Sequence, residues 1–339
     1  MMNKLFFKAF LYGLALFSMA GLFSCQENPE TEYYKYQGQI QGTWFSVIYE
    51  AEQDYAKDID SLLSRFNQSL NNYDSTSVIS RVNRNENLLT DSLFQAMFHA
   101  ADRVWEASGM RFDITVAPLA NAWGFGYKTG HLPDSAEIDS IMLFVGMDKI
   151  KLVEKKIIKK DDRVEIIGNA IAQGMSVDYL ANFLIRKKLD NFLVEIGGEV
   201  RAQGISPKGK KWLVGIDKPI LDSTLSKREM QTAIELDHLS IATSGNYRKY
   251  KEHNGKRYGH SINPLTGYPE STEIISASVL HPQCMMADAW ATAFMLMDTE
   301  LALETAEKLP QTEAMFITGD TEDDYNIFYT SGFQNFIPE

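Results

Sequence analysis

Two hydrophobic periods interleave along this chain, and that interleaving constrains its fold more than any other feature. Gly42 to Tyr49 is aromatic and β-branched, the composition of a strand. Ala56 to Leu70 then places Ile59, Leu62, Leu63 and Phe66 at helical intervals. Asn71 to Ser75 carries turn chemistry, and helical spacing returns from Ser92 to Ser108. Lys151–Val153 and Val164–Ile167 flank a charged segment and predict a hairpin. A helix over Val177–Leu189 leads into a strand at Phe192–Ile196, with further strands at Lys211–Ile216, Ser240–Thr243 and Ile274–Leu280. Ala287 to Met297 has no breaker and predicts a helix. Helices and strands are mixed without strict βαβ alternation, so the expected class is α+β, built as one compact unit. No internal repeat is present.

The N-terminus stands apart from that pattern. Lys4 and Lys8 precede an uncharged apolar stretch from Ala9 to Leu22, the layout of a secretory signal peptide. The stretch is short for a membrane span. It ends in Leu22-Phe23-Ser24-Cys25, which resembles the lipobox of bacterial lipoproteins, where the cysteine thiol is acylated. The expectation is a signal segment 1–24, lipidation at Cys25, a polar tether over 25–36 and a globular domain over 37–339. Acylation would fix the chain to a membrane of the bacterial cell envelope. Gln26 follows the cysteine where an aspartate would signal inner-membrane retention, which leans towards the outer membrane and leaves the leaflet open.

The chain has two cysteines. With Cys25 lipidated, Cys284 has no intramolecular partner, and the fold must rest on its own core. Removing residues 1–24 leaves 315 of the 339 residues and moves the net charge from −12 to −14. That acidity argues against nucleic acid as a partner.

Four segments carry candidate chemistry. In Cys284–Ala293, Asp288 and Thr292 lie four apart on the expected helix and share one face among small alanines. A carboxylate and a hydroxyl are hard oxygen donors suited to magnesium. Spacing alone favours the plainer alternative, a helix cap at Asp288 and packing at Thr292. Gly168–Asp178 places small residues before a helix, where a ligand could approach the backbone, or where a tight packing turn could form. Ala242–Arg248 could hold an anion with Ser244 and Arg248, or be a polar turn. Gly259–Pro269 is a loop fixed by prolines and glycines with His260 at its entrance. There is no Gly-x-Ser-x-Gly elbow, no His-Glu-x-x-His and no Gly-x-x-x-x-Gly-Lys phosphate loop.

Taken together and in order, these segments resemble the ApbE-type FAD:protein FMN transferase family from about Gly42 to Asp298. The likeness is carried by Gly42-Thr43-Trp44, Asn72-Tyr73-Asp74, the Ser77–Asn83 block, and Phe112–Leu119 followed by Trp123-Gly124-Phe125-Gly126. It continues through Ala170–Gly174, Ile196–Arg201, Ala242–Gly245, His260–Pro264 and Ala287–Thr292.

The resemblance implies a flavin-transferase fold with FAD in a central cleft. It implies Mg²⁺ held by Asp288, Thr292 and the backbone carbonyl of Ala170. Tyr73, Arg111, Phe112, Asp113, Gln173, His260, Ile262 and the Gln41–Gly42 turn would contact FAD, with Ser244 and Arg248 as phosphate or ribose contacts. Asp288 and His260 are the catalytic candidates. The implied reaction cleaves the FAD pyrophosphate, moves FMN to a threonine hydroxyl of a client protein and releases AMP. The client implied is an exported or membrane electron-transfer subunit. An FAD pyrophosphatase and a non-catalytic FAD-binding lipoprotein are the competing readings. The sequence departs from the family pattern in one loop, with Ile167 where an acidic residue is usual, Gln173 for lysine and Met175 for an aromatic.

Overall fold

A computed structural model describes residues 31–128, 130–219, 229–245, 250–253, 256–270, 272–319 and 325–338. The signal segment 1–24, Cys25, the start of the tether and Arg248 lie outside the described residues.

Strand β1 (Glu32–Ile40) pairs antiparallel with β2 (Thr43–Ala51) over its whole length, Glu32 opposite Ala51 and Ile40 opposite Thr43. The folded domain therefore starts five residues ahead of the expected Gln37. A glutamate and a lysine disguise β1 as tether, but an edge strand tolerates such residues, and its tyrosines pack inward. Tyr34 stacks on Tyr49 at 5.6 Å, and Tyr36 leans on Phe45 at 5.5 Å.

Helices α1 (Ala56–Leu70), α2 (Val78–Asn83), α3 (Ser92–Ala107), α4 (Ala117–Ala122) and α5 (Ser135–Met142) follow. Periodicity locates α1 and α3 well, because each buries one apolar stripe: Ile59, Leu63, Phe66 and Leu70 in α1, Phe94, Met97, Ala101 and Val104 in α3. Side chains of Ser77, Asp91 and Asp134 cap α2, α3 and α5 by accepting backbone N–H bonds.

Strand β3 (Ile150–Val153) pairs with β4 (Lys156–Lys159), so the predicted partnership with Val164–Ile167 is wrong. Beyond it come α6 (Ala172–Arg186), β5 (Phe192–Ile196), β6 (Glu199–Gln203), β7 (Trp212–Asp217), β8 (Met230–Leu236) and β9 (Leu239–Gly245). The chain continues through β10 (Tyr250–His253), β11 (Lys256–Gly259), β12 (Ile274–His281), α7 (Cys284–Phe294), α8 (Thr299–Lys308), β13 (Glu313–Gly319) and β14 (Tyr325–Tyr329). Helix α6 starts five residues before the expected Val177, and α7 three before Ala287.

Eight strands form one sheet in the order β1-β2-β5-β6-β9-β12-β13-β14, every neighbouring pair antiparallel. This confirms the α+β class. Alternation sorts side chains to two buried faces. On one face, Val47, Tyr49 and Val194 meet α1 and α6, while Ala242, Ala277 and Phe316 meet the core that includes α3 and α7. On the other, Ile241, Met315 and Ile317 meet the β7–β8 hairpin and Phe333. Each fully buried large apolar side chain contributes roughly 1.5–3 kcal/mol, so a core covering both faces supports the domain without a disulfide. Cys284 is buried and free.

The pairing registers bring the β1–β2 turn, the β5–β6 turn and the C-terminal end of β9 to the same end of the sheet. Among the described residues no helix is long and apolar enough to cross a membrane.

Candidate functional site

The site is built at that sheet end. Gln41 and Gly42 form the two-residue turn between β1 and β2, with φ of 52° and 73°. Both residues in the left-handed region match the hairpin turn that best fits strand twist. Both polar atoms of the Gln41 amide are buried and lack a hydrogen-bond partner. Such an orphaned amide costs free energy unless a polar ligand meets it. Beside it, Gly197 opens the β5–β6 turn at φ 69°; a Cβ there would lie 2.3 Å from the Gln173 amide nitrogen and 3.0 Å from Thr43. Gln173, in the first turn of α6, thus packs against the β5–β6 turn, whose Gly197 also approaches Thr43 at the start of β2.

Gly174 joins α6 to α7. Its N–H donates to Asp288 Oδ2 at 2.9 Å. Asp288 is buried, and burial pushes its pKa up to about 7 against the pull of that bond. It sits within α7 rather than at the helix start, which removes the capping alternative. One turn later Thr292 faces Ser244 of β9, their hydroxyls 3.3 Å apart. Asp288, Thr292, Ser244, Gln173 and Gln41 are thus gathered at one end of the sheet. Ala170 lies two residues before α6, at the same helix end.

Two asparagines hold the segment that delivers Ala170. Asn72 Nδ2 and Asn83 Nδ2 both donate to the Ile166 carbonyl at 2.8 Å. Asn83 Oδ1 accepts from Ile166 N at 2.7 Å, and Asn72 Oδ1 from Gly168 N at 3.1 Å. The extended segment 164–168 thus takes its bonds at Ile166 and Gly168 from these side chains, and Ile167 N donates to the Ile114 carbonyl at 2.8 Å, so it reads as a strand but joins no ladder. Asn72 and Asn83 stand in the sequence as family positions without an assigned role. Asn72→Ala and Asn83→Ala should each destabilise the fold by about 1–3 kcal/mol, since buried backbone groups lose their partners. Urea unfolding checks this; midpoints equal to the parent's would show that these bonds do not hold the segment.

Ile167 is buried in the cluster formed by α4, α5 and Ile262. The residue standing where an acidic group was expected is therefore a packing contact with the His260 loop. That loop is clamped further: Trp123 Nε1 donates to the Gly267 carbonyl at 2.9 Å, and Asn263 bonds to Glu270. At φ 80°, Gly267 lies so close to Ile138 that a Cβ would sit 2.6 Å from it. His260 is half-buried at the loop entrance, directly after β11. The Ile262 side chain faces the core.

The 111–113 segment divides. Phe112 is core. Asp113 is buried, and burial raises its pKa while three bonds oppose the rise. Its Oδ1 accepts from the Thr115 N–H and hydroxyl, and its Oδ2 from Met147 N at 2.9 Å. The structure thus commits both oxygens to the fold. Arg111 instead lines a cleft of about 460 Å³ with Asn263, Glu270, Thr272, Glu273 and Asp298. Leu296 and Met297, one turn beyond Thr292, complete its wall. Tyr73 is 67% exposed, its ring edge-on to Tyr127.

Among the described residues no three His, Cys, Asp or Glu side chains cluster as a metal site. Asp288, Thr292 and Ala170 offer a carboxylate, a hydroxyl and a carbonyl, all hard oxygens. That chemistry fits a magnesium ion that completes its shell with phosphate and water.

Fold and site together define an α+β protein with hard-oxygen donors and an unsatisfied polar turn at one end of a single antiparallel sheet. The model of the ApbE family matches residues 41–316, and the chain belongs to that family. It is 33% identical to the FAD:protein FMN transferase of Haemophilus influenzae, over 89% of this chain and 91% of the relative. Identity to the enzyme of the same name from Vibrio cholerae is 30%, over 96% and 98%. Among solved structures, the Vibrio cholerae flavin transferase ApbE superposes with a TM-score of 0.81 at 30% identity, covering 91% of this chain and all of the other. The apo form of Pseudomonas stutzeri flavinyl transferase ApbE gives 0.79 at 25% identity, covering 90% and 97%.

Proposed function

We propose that this chain is an FAD:protein FMN transferase that requires magnesium and modifies a threonine hydroxyl of a client protein. One observation carries the reading beyond family membership. Asp288 and Thr292 share a face of α7 at the sheet end where the Gln41 amide is buried without a partner.

Asp288, Thr292 and the Ala170 carbonyl would hold the cation. When bound, magnesium supplies charge neutralisation at the FAD pyrophosphate and at the departing AMP. The Gln41 and Gln173 amides bind polar edges of FAD. Ser244 orients the Thr292 hydroxyl. Tyr73 offers an exposed aromatic face for stacking. The client threonine oxygen forms a bond to the FMN phosphorus, the bond between that phosphorus and the bridging oxygen breaks, and AMP leaves with the oxygen. The threonine proton passes to a base. Asp288 is buried and committed to the Gly174 N–H, so His260 takes that role.

The N-terminal grammar supports a cell-envelope lipoprotein acylated at Cys25, acting on exported or membrane-bound electron-transfer subunits. Tethering at the membrane raises the local concentration of such clients.

The test is to incubate the purified chain with FAD, magnesium and a threonine-bearing acceptor domain, and to read intact mass. A mass gain matching FMN is expected, abolished by a chelator and restored by added magnesium. Free FMN and AMP without acceptor modification would make the protein a pyrophosphatase. Intact FAD throughout would leave it a flavin-binding lipoprotein.

A further inference from the structure

Helix α7 carries Asp288 and Thr292, yet its own N-cap, Gln283, makes no side-chain capping bond. The cap comes from another helix. Asp178, on α6, turns Oδ2 to the Met285 N–H at 2.9 Å. Its Oδ1 accepts from Arg201 Nη1 of β6 at 2.7 Å. Asp178 is 8% exposed, and the Arg201 side chain is 17% exposed. A carboxylate at a helix N-terminus is favourable because it meets free N–H groups and the positive end of the helix dipole. A buried carboxylate also needs a cation beside it, and Arg201 supplies one from the sheet.

Asp178 lies four residues after Gly174, so both are on the same face of α6. Gly174 bonds Asp288 directly, and Asp178 bonds the first turn of the helix that carries it. Two contacts one turn apart fix the axial position of α7 against α6. Without the Asp178 contact, Gly174 would be left as the one described hydrogen bond setting how far along α6 the Asp288 carboxylate sits.

We propose that Asp178, held by Arg201, is a positioning residue that sets the register of α7 and so places Asp288 and Thr292 opposite the Ala170 carbonyl. The proposal rests on the magnesium reading of the site above. Asp178 touches neither FAD nor cation itself. Misplaced ligands lose cation affinity while the Gln41 turn, on another element, stays in place. The expected loss for Asp178→Ala is on the order of tenfold to a hundredfold in magnesium affinity, the range for groups that orient metal ligands.

The experiment titrates magnesium into the purified full-length chain by calorimetry, without FAD or client, and measures FAD affinity separately. Wild-type binding comes first; its absence would sink the cation site and this role with it. Given wild-type binding, Asp178→Ala should weaken magnesium at least tenfold with FAD affinity within about twofold. Asp178→Asn keeps an acceptor for Met285 N–H but loses the ion pair, and should fall between. Leu236→Ala, in the core on the far face of the sheet, serves as a control for loss of stability alone. It should lower the melting temperature and leave magnesium affinity unchanged. Should Asp178→Ala fail to fold, Asp178→Asn decides the matter. Wild-type magnesium affinity in the folded Asp178 variants, or an equal loss in Leu236→Ala, overturns the proposal.

Discussion

Asp288→Asn should reduce FMN transfer by on the order of a thousandfold or more while leaving the metal-free protein as stable as its parent, or more so. The two halves of this expectation have one cause. Asp288 is buried at 6% exposure, and its resolved protein contact is the Gly174 N–H. A buried carboxylate held by one neutral donor costs free energy that asparagine does not, because an amide loses less on leaving water. The asparagine oxygen can still accept from Gly174, so the α6–α7 contact survives. What disappears is the negative charge that would hold the cation. A residue kept for the fold would show the opposite pattern, with stability falling and activity following it. Thermal unfolding in the presence of a chelator, beside the rate of FMN adduct formation by intact mass, separates the cases. Transfer within tenfold of wild type would remove Asp288 from the site.

How far the sequence disclosed this arrangement depends on where the hydrogen bonds go. Helices α1 and α3 were legible because each buries one stripe against a core, and periodicity records that directly. Strands β2, β5 and β12 were legible through their runs of aromatic and β-branched residues, which suit a buried sheet. Segment 164–168 misled because it is extended and buried like a strand, but at Ile166 and Gly168 takes its bonds from Asn72 and Asn83, over eighty residues away in sequence. No local pattern encodes such a partner. The first turn of α6 was hidden by Gly174, which reads as a breaker although close helix packing explains it.

The site shows the same division. Motif order singled out Asp288, Thr292, Gln173 and Gln41, and the structure gathers them at one sheet end. Motif order also implicated Phe112 and Asp113, whose side chains the fold consumes: one is core, and the other has both oxygens bonded within the chain. A motif preserves a segment for whatever reason the segment matters, and packing and ligand contact leave the same trace. Asp178 and Arg201 went unassigned because their pairing exists across α6 and β6, not along either.

Gly174→Ala puts two opposing magnitudes against each other. In an exposed helix interior, replacing glycine with alanine gains about 1 kcal/mol from backbone entropy and propensity. At Gly174 the new Cβ would sit 2.4 Å from the Cys284 carbonyl oxygen and 2.7 Å from Asp288 Cβ. Neither is the free end of a flexible side chain, so relief requires α6 and α7 to part. Parting lengthens the 2.9 Å bond from Gly174 to Asp288 and strains the one from Met285 to Asp178. Overpacking of this kind costs about 1–3 kcal/mol, and a buried bond lost with it adds about 1–3 more. The clash should outweigh the helix gain, leaving a net destabilisation of roughly 1–5 kcal/mol once the three are combined. Because the helices that separate are those placing the proposed cation ligands, transfer should fall by more than the folded fraction does. Urea unfolding gives the first number and the initial rate of adduct formation gives the second. An alanine variant as stable as the parent would mean that the two helices do not approach as closely as these contacts require, and the placement of Asp288 would have to be rebuilt from another support.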